Sequence, residues 1–372
     1  MKKIVFFVES LYCGGAERSL LSLLQNLDRK KYDIDLLVIK KGGEFEKFIP
    51  DNINYNFLDI KYNFLGKLKF FVNRKTDPHT HTAQIFWKSF KDQIPIYSKE
   101  YDVAIAWGQG FATYFTGMKI NAIRKYAWIN TDYNKAGYNY KYDKETYSHF
   151  DKIVGVSDFV KESMQKYIDE SKLLSISNII DEDDVKVRAK HAIDTIFDTN
   201  VKNIVSVGRL VKLKSFDLSI QVAKNLKDRD VSFKWYIIGE GSERERLEKL
   251  IDENDLGKFV ILIGFNENPY PYIKACDIYV QTSSFEGLGR TLIEASILKK
   301  PIVTTNFPTS YCILENQETG LIVEMNAESV ANAILRVLKD DNLRAKLINN
   351  LASKENRSKQ ITLDKVYALL EK

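Results

Sequence analysis

Three short stretches of this chain combine residue types that can do chemistry. The first is Ser283-Ser284-Phe285-Glu286-Gly287-Leu288-Gly289-Arg290-Thr291-Leu292-Ile293-Glu294-Ala295, where two carboxylates stand eight positions apart. Gly287 and Gly289 keep the backbone bare, so its amides can face a phosphate where a helix begins. A carboxylate accepts paired hydrogen bonds from vicinal hydroxyls, those of ribose included. Two surface glutamates on a loop and a helix are the plain alternative, weakened here because the stretch directly follows the strand-like run 277–281. The second stretch is Gly208-Arg209-Leu210-Val211-Lys212-Leu213-Lys214. A guanidinium and an ammonium converging from one turn suit a diphosphate, and a solvated basic turn is the plain alternative. The third is Gly14-Gly15-Ala16-Glu17-Arg18. Its glycines allow close backbone approach and the helix start offers N–H groups to an anion, although an ordinary strand-to-helix turn looks the same.

Each stretch follows a short apolar run, and those runs define the elements that must position it. Residues 4–8, 34–39, 103–107, 126–130 and 152–157 are strand candidates, and 16–27 carries leucines at helical spacing. The pattern restarts with 203–208, 235–239, 259–264, 277–281 and 301–305. Strands alternating with helices imply parallel sheets covered on both faces, in two consecutive α/β domains. We expect domains over 1–185 and 201–355, a linker over 186–200, and a C-terminal helix over 356–372 that can return to the first domain. The acid-rich run before the linker makes Asp181, Asp183 and Asp184 linker acids. Ligands of such sheets bind outside the carboxyl ends of the strands, here in a cleft between the domains.

Composition excludes several classes. With 372 residues, 44% hydrophobic and 28% charged, the chain is neither disordered nor low-complexity. Cys13, Cys276 and Cys312 are too few and too scattered for a disulfide scaffold or zinc site, which points to a reducing, cytosolic compartment. The net charge is +5, and residues 1–180 hold 27 basic against 21 acidic residues. That excess is too weak for nucleic acid and fits an anionic surface or substrate better. No run of about 18 apolar residues suggests a membrane span. The start is broken by Glu9 and is a first buried strand rather than a signal peptide.

The ordered set VSVGRLVKLKSFDLSI, IIGEGSERERLEKLI, FVILIGF and ACDIYVQTSSFEGLGRTLIEASILKKPIVTT, followed by ETGLIV, resembles glycosyltransferase family 4, retaining enzymes of the GT-B fold. The likeness is strongest over about residues 201–325. GGAER and the segment 151–181 also match, whereas residues 40–125 show little. The resemblance implies two Rossmann-like domains, an N-terminal one for the acceptor and a C-terminal one for a nucleotide-sugar donor. It implies that Arg209 and Lys214 neutralise the donor diphosphate, that Glu294 holds the ribose and that Glu286 contacts the transferred sugar. Gly287, Leu288 and Gly289 then lend backbone amides, Gly15 approaches the phosphates, and Ile263 and Gly264 line the base. Arg and Lys do the charge neutralisation, so no metal and no cofactor are expected. Many relatives carry a His in a Trp-Ile-His context; here Asn130 stands in that place, able to hydrogen-bond a sugar hydroxyl but not to titrate. Glu17 and Asp132 are acceptor-side candidates, a helix cap being the plain role for Asp132. His79 and His81 are a surface-loop pair before they are an acceptor mouth.

Residues 61–75 hold Lys61, Lys67, Lys69, Arg74 and Lys75, no acid, and interleaved Phe64, Leu65, Leu68, Phe70, Phe71 and Val72. Such a segment suits an anionic membrane surface, or equally a helix packed on the N-terminal sheet with a solvated basic face. The expected function is a retaining transfer of a hexose or amino-hexose from a nucleotide sugar, a UDP-sugar by preference, to a glycan acceptor, lipid-linked, in bacterial surface-polysaccharide assembly. The expected location is the cytoplasm, peripheral to the membrane. An inactive nucleotide-sugar-binding partner is the alternative. An oxidoreductase is remote, since neither opening strand leads into GxGxxG.

Overall fold

The structure is a computed structural model that describes residues 1–12, 14–192, 197–198, 200–353 and 358–371. Cys13, residues 193–196 and 199 of the expected linker, and residues 356–357 and 372 of the expected C-terminal helix lie outside the described residues. The chain forms two compact units, one running to Ile179 and including the last helix, the other beginning at Ile180.

The first unit is built on a parallel sheet of β1 (Lys2–Phe7), β2 (Tyr32–Val38), β3 (Asn54–Phe57), β4 (Tyr97–Trp107), β5 (Ile120–Ile129), β6 (Lys152–Gly155) and β7 (Leu173–Ser175). Their spatial order is β3-β2-β1-β4-β5-β6-β7, so growth of the sheet reverses between β1 and β4. Helices α1 (Gly15–Asn26), α2 (Phe64–Thr76), α3 (Thr82–Phe90), α4 (Phe111–Lys119), α5 (Tyr140–Ser148) and α6 (Asp158–Glu162) connect the strands. Side chains alternate along β1: Val5 and Phe7 pack with Trp87, Phe90, Phe111 and Phe115, while Ile4 and Phe6 are buried on the other face.

The second unit repeats the plan with β8 (Lys202–Val207), β9 (Phe233–Ile238), β10 (Val260–Gly264), β11 (Ile278–Gln281), β12 (Ile302–Thr305) and β13 (Leu321–Val323). The order β10-β9-β8-β11-β12-β13 is that of a doubly wound dinucleotide-type sheet. Its strands are near-continuous apolar runs because both faces are covered. Ile204, Trp235, Ile237, Ile278, Val280 and Val303 join one core, and Val205, Tyr236, Ile238, Tyr279 and Ile302 join the other. The helices are α7 (Glu182–Arg188), α8 (Phe216–Lys227), α9 (Arg244–Glu253), α10 (Tyr270–Ala275), α11 (Arg290–Ile297), α12 (Ser310–Ile313), α13 (Ala327–Lys339) and α14 (Asp341–Ser353).

The acids read as linker residues are a helix start instead. Asp181 Oδ1 accepts from the Asp183 and Asp184 amides at 3.1 and 3.2 Å and so caps α7. Glu182, Asp183 and Asp184 then occupy the first turn, where negative charge suits the helix dipole. Val185 and Ala189 are buried in the second unit's core, so the segment up to 189 is packed rather than connecting. The last helix, α15 (Ser358–Leu370), belongs to the first unit. Tyr126 donates to the Leu369 carbonyl at 3.0 Å, Lys2 to that of Leu370 at 2.7 Å, and the Asp28 amide to the Tyr367 hydroxyl at 3.0 Å.

Candidate functional site

In the second unit the reversal of sheet growth falls between β8 and β11, which is where a ligand crevice forms in such sheets. Two loops leave the carboxyl ends of these strands. After β8 comes Gly208-Arg209 and a short 3-10 turn, Lys212–Lys214. Ser215 follows in the left-handed region (φ 50°, ψ 45°), a conformation costing a non-glycine residue about 1 kcal/mol. After β11 comes 282–289, which leads into α11. The loops are stitched together. The Ser284 amide donates to the Leu213 carbonyl at 2.9 Å, and the Thr282 hydroxyl to that of Lys214 at 3.2 Å. The neighbouring Gly239-Glu240-Gly241 supports the first loop from behind. A Cβ at Gly239 would run into the Gly208 carbonyl, and one at Gly241 into that of Leu210. Backbone that close admits only glycine.

This stitching brings Lys214 and Glu286 together as an ion pair through Nζ and Oε1. The same Oε1 accepts from Gln281 Nε2 at 2.8 Å and Ser283 Oγ at 2.7 Å, and the Thr309 hydroxyl holds the Glu286 carbonyl at 3.0 Å. Glu286 is 12% and Lys214 19% exposed at the side chain, so the pair is largely shielded from water. An ammonium has three donors and one carboxylate oxygen takes one, leaving Lys214 capacity for an anion. Arg209 lies exposed on the same loop. A hollow of about 280 Å³ lined by Lys212, Ser215, Asp217 and Arg246 borders this turn but includes none of the candidate residues.

Glu294 sits differently from a carboxylate open to solvent. It is 3% exposed, and its Oε1 accepts from the Tyr270 hydroxyl at 2.9 Å and Arg290 Nε at 2.8 Å. Burial alone would lower the Arg290 pKa, but Glu294 and Tyr270 outweigh it and hold the guanidinium above its ordinary value. Gly289 caps α11 in the left-handed region (φ 72°), and Gly287 and Leu288 are half-buried before it. Ile263 and Gly264 end β10, at the edge of the sheet two strands beyond β8, with Gly264 at φ 89°.

In the first unit, Gly15 begins α1, and the Glu17 side chain lies back against Gly14. Trp107 Nε1 donates to the Ala16 carbonyl at 2.8 Å and the Trp107 ring stacks on Trp128 at 4.9 Å, tying the start of α1 to the end of β5. Asn130 follows β5. Its amide donates to Gln109 Oε1 at 3.1 Å and its Oδ1 accepts from Asn178 Nδ2 at 3.0 Å. Asn130 Nδ2 is buried and makes no hydrogen bond among the described residues, a rare condition for a buried donor. Asp132 is buried and closes a turn rather than capping a helix: its Oδ1 accepts from the Asn134 and Lys135 amides at 2.8 and 2.9 Å. His81 caps α3 through Nδ1, which accepts from the Ala83 amide at 3.2 Å, and stacks on Tyr138. Burial pulls its pKa down. Among the described residues no group of three or more His, Cys, Asp or Glu could hold a metal ion.

Gln281, Ser283, Tyr270, Arg290, Gln109 and Asn178 complete these clusters and were not singled out from the sequence. Arg290 was within reach of that reading, being four residues before Glu294 on one helix. Tyr270, Gln109 and Asn178 come from 24, 21 and 48 residues away and left no local signal.

Residues 187–354 match the family described as glycosyl transferases group 1. The chain is 28% identical over 310 residues to poly(ribitol-phosphate) alpha-N-acetylglucosaminyltransferase of Staphylococcus aureus, covering 80% of this chain and 59% of that protein. It is 37% identical over 145 residues to N-acetylgalactosamine-N,N'-diacetylbacillosaminyl-diphospho-undecaprenol 4-alpha-N-acetylgalactosaminyltransferase of Campylobacter jejuni, covering 38% of this chain and 39% of that protein. The chain therefore spans less than two thirds of either relative. A crystal structure of a TarM mutant of S. aureus, in complex with fondaparinux, alpha-GlcNAc-glycerol and UDP, superposes with TM-score 0.73 at 16% identity over 100% of both chains. The chain has the GT-B fold, as expected from its motifs.

Proposed function

We propose that this protein is a retaining glycosyltransferase that moves a hexose or amino-hexose from a nucleotide sugar to a glycan acceptor in surface-polysaccharide assembly. The observation that carries the reading is the meeting of Lys214 and Glu286, on a loop that also carries Arg209, where sheet growth reverses between β8 and β11. Breaking the bond between the anomeric carbon and the phosphate oxygen places negative charge on the departing diphosphate. Lys214, held by Glu286, and Arg209 on the same loop meet that charge, stabilising the transition state more than the ground state. No metal is then required. Glu286, held by Gln281 and Ser283, faces the transferred sugar. The acceptor oxygen bonds to the anomeric carbon on the face the diphosphate leaves, and its proton passes to the departing phosphate oxygen, so configuration is retained without a titrating side chain at Asn130. The unpartnered Nδ2 of Asn130 is buried, so it serves a sugar hydroxyl only where substrate binding uncovers it.

Glu294 has one oxygen committed to Tyr270 and Arg290. We assign the ribose to its carboxylate as a pre-oriented acceptor rather than a mobile one. UDP is the preferred nucleotide and a lipid-linked glycan the preferred acceptor, in keeping with the UDP bound to TarM and the undecaprenol named for the Campylobacter relative.

A thermal-shift screen against UDP, GDP, ADP and their sugars tests the reading. At 100 times its dissociation constant the right nucleotide stabilises the fold by about 2.7 kcal/mol. The sugar nucleotide that stabilises should also be slowly hydrolysed. Binding without hydrolysis of any common donor would favour the inactive-partner alternative, and no stabilisation by any nucleotide would remove the proposal.

A further inference from the structure

Helix α2 carries a surface that the transfer reaction does not use. Asn63 caps it, accepting from the Gly66 amide at 2.9 Å. One face packs inward on α3: Gly66 lies against Phe90, Phe70 meets Phe86 and Phe90 at 6.1 and 6.2 Å, and Asn73 bonds Ser89 at 3.0 Å. The helix thus leans on α3, with Phe70 reaching the core on which α3 also packs. Its opposite face is turned to solvent although it is apolar. Phe64 is 77%, Leu65 65%, Leu68 50%, Phe71 69% and Val72 49% exposed. At about 100° per residue these five fall within an arc of about 120°, centred opposite Gly66, Phe70 and Asn73. Lys67 and Arg74 lie along one border of the arc and Lys69 along the other. Lys61 and Lys75 stand at the two ends, and no acid lies between Asp59 and Asp77.

We propose that this face lies in the plane of an anionic phospholipid bilayer, with the five apolar side chains in the acyl boundary and the flanking cations among the headgroups. Thirteen residues reach about 20 Å along the helix axis, and among the described residues no helix is long and apolar enough to cross a membrane. The helix therefore lies along the surface. Long basic side chains bordering an apolar stripe keep their charge at headgroup level while their stems cover apolar surface. The same charges argue against a second copy of this chain as the occupant, since pairing the stripe with itself would oppose five cations to five cations. An anionic bilayer satisfies both the apolar stripe and its basic borders.

The inference rests on the surface of the first unit alone and needs no donor to test. Flotation is measured with phosphatidylglycerol–phosphatidylcholine vesicles and with phosphatidylcholine alone. The native chain should partition to the anionic vesicles at least about tenfold more strongly, and added salt should weaken the binding. Phe64→Ser/Leu68→Ser/Phe71→Ser should lower partitioning by about 100-fold or more, and Lys67→Glu/Lys69→Glu by about 30-fold or more. Both variants change exposed residues and should keep the native circular dichroism and melting temperature. Equal binding to both vesicle types, or unchanged partitioning in either variant, would overturn the proposal. So would a dimer in light scattering that the serine variant dissolves while the native chain ignores the vesicles.

Discussion

Replacing Lys214 by alanine separates what this side chain does for the fold from what it does for transfer. In the native protein Glu286 Oε1 receives Lys214, Gln281 and Ser283, and the carboxylate is 12% exposed. Lys214→Ala leaves that charge shielded from water with only two neutral donors. Stranding one partner of a fully buried pair costs about 3–5 kcal/mol. The residual exposure and the two remaining hydrogen bonds reduce this to about 2 kcal/mol. In a unit of this size that lowers the melting temperature by about 4–8 °C. The double variant Lys214→Ala/Glu286→Gln removes the stranded charge and keeps an oxygen for Gln281 and Ser283, so most of the loss should return. Calorimetry of the two variants measures this. Turnover with the donor selected by the nucleotide screen should fall about 100-fold or more in both, because the cation that meets the leaving diphosphate is gone in both. If the double variant recovers activity along with stability, Lys214 serves only to partner Glu286 and its phosphate role is refuted. A single variant that melts like the native protein would show that the pair contributes nothing to the fold.

Arg209→Ala should lower turnover about 100-fold with an unchanged melt, since the side chain is exposed; near-native turnover would exclude it from the diphosphate. Asn130→Asp keeps an oxygen for Asn178 but deletes the buried Nδ2 donor, so kcat/KM should drop about 10- to 100-fold, and an unchanged kcat/KM would show that this donor meets no substrate. His81 is held below its ordinary pKa of 6.5 by burial, so the unfolded chain protonates first. Its contribution is present above that value and is lost as pH falls through the folded pKa. His81→Asn keeps a capping side chain that does not titrate, and melts between about pH 5 and about pH 7 should show a shallower acid-side fall than the native protein. Identical slopes would count against the cap.

Much of this molecule was legible because both sheets are covered on two faces. Runs such as 235–239 and 277–281 announce buried parallel strands, and the residues just after them announce loops at the ligand-binding end. The short strands β3, β7 and β13 were not read as strands, since three or four residues carry too little periodicity. The acids at 181–184 misled because a capped helix start and a polar linker have the same composition, and only the packing of Val185 and Ala189 separates them. The enclosure of Glu294 was hidden because Tyr270 reaches it from another helix. For residues 61–75 the sequence left two readings in balance, and the outward turn of Phe64, Leu68 and Phe71, which only the structure shows, is what the membrane proposal is argued from.

The return of α15 to the first unit has a consequence for the order in which the chain is made. The second unit is continuous in sequence, so its core can close as soon as α14 has been synthesised. The first unit emerges earlier but still lacks Val366, Leu369 and Leu370, all buried, and the partners of Tyr126 and Lys2. Domains usually fold from the N-terminus as they leave the ribosome. Here the unit translated first is the one finished last, and until then the side of its sheet awaiting α15 is open to whatever else in the cell binds apolar surface.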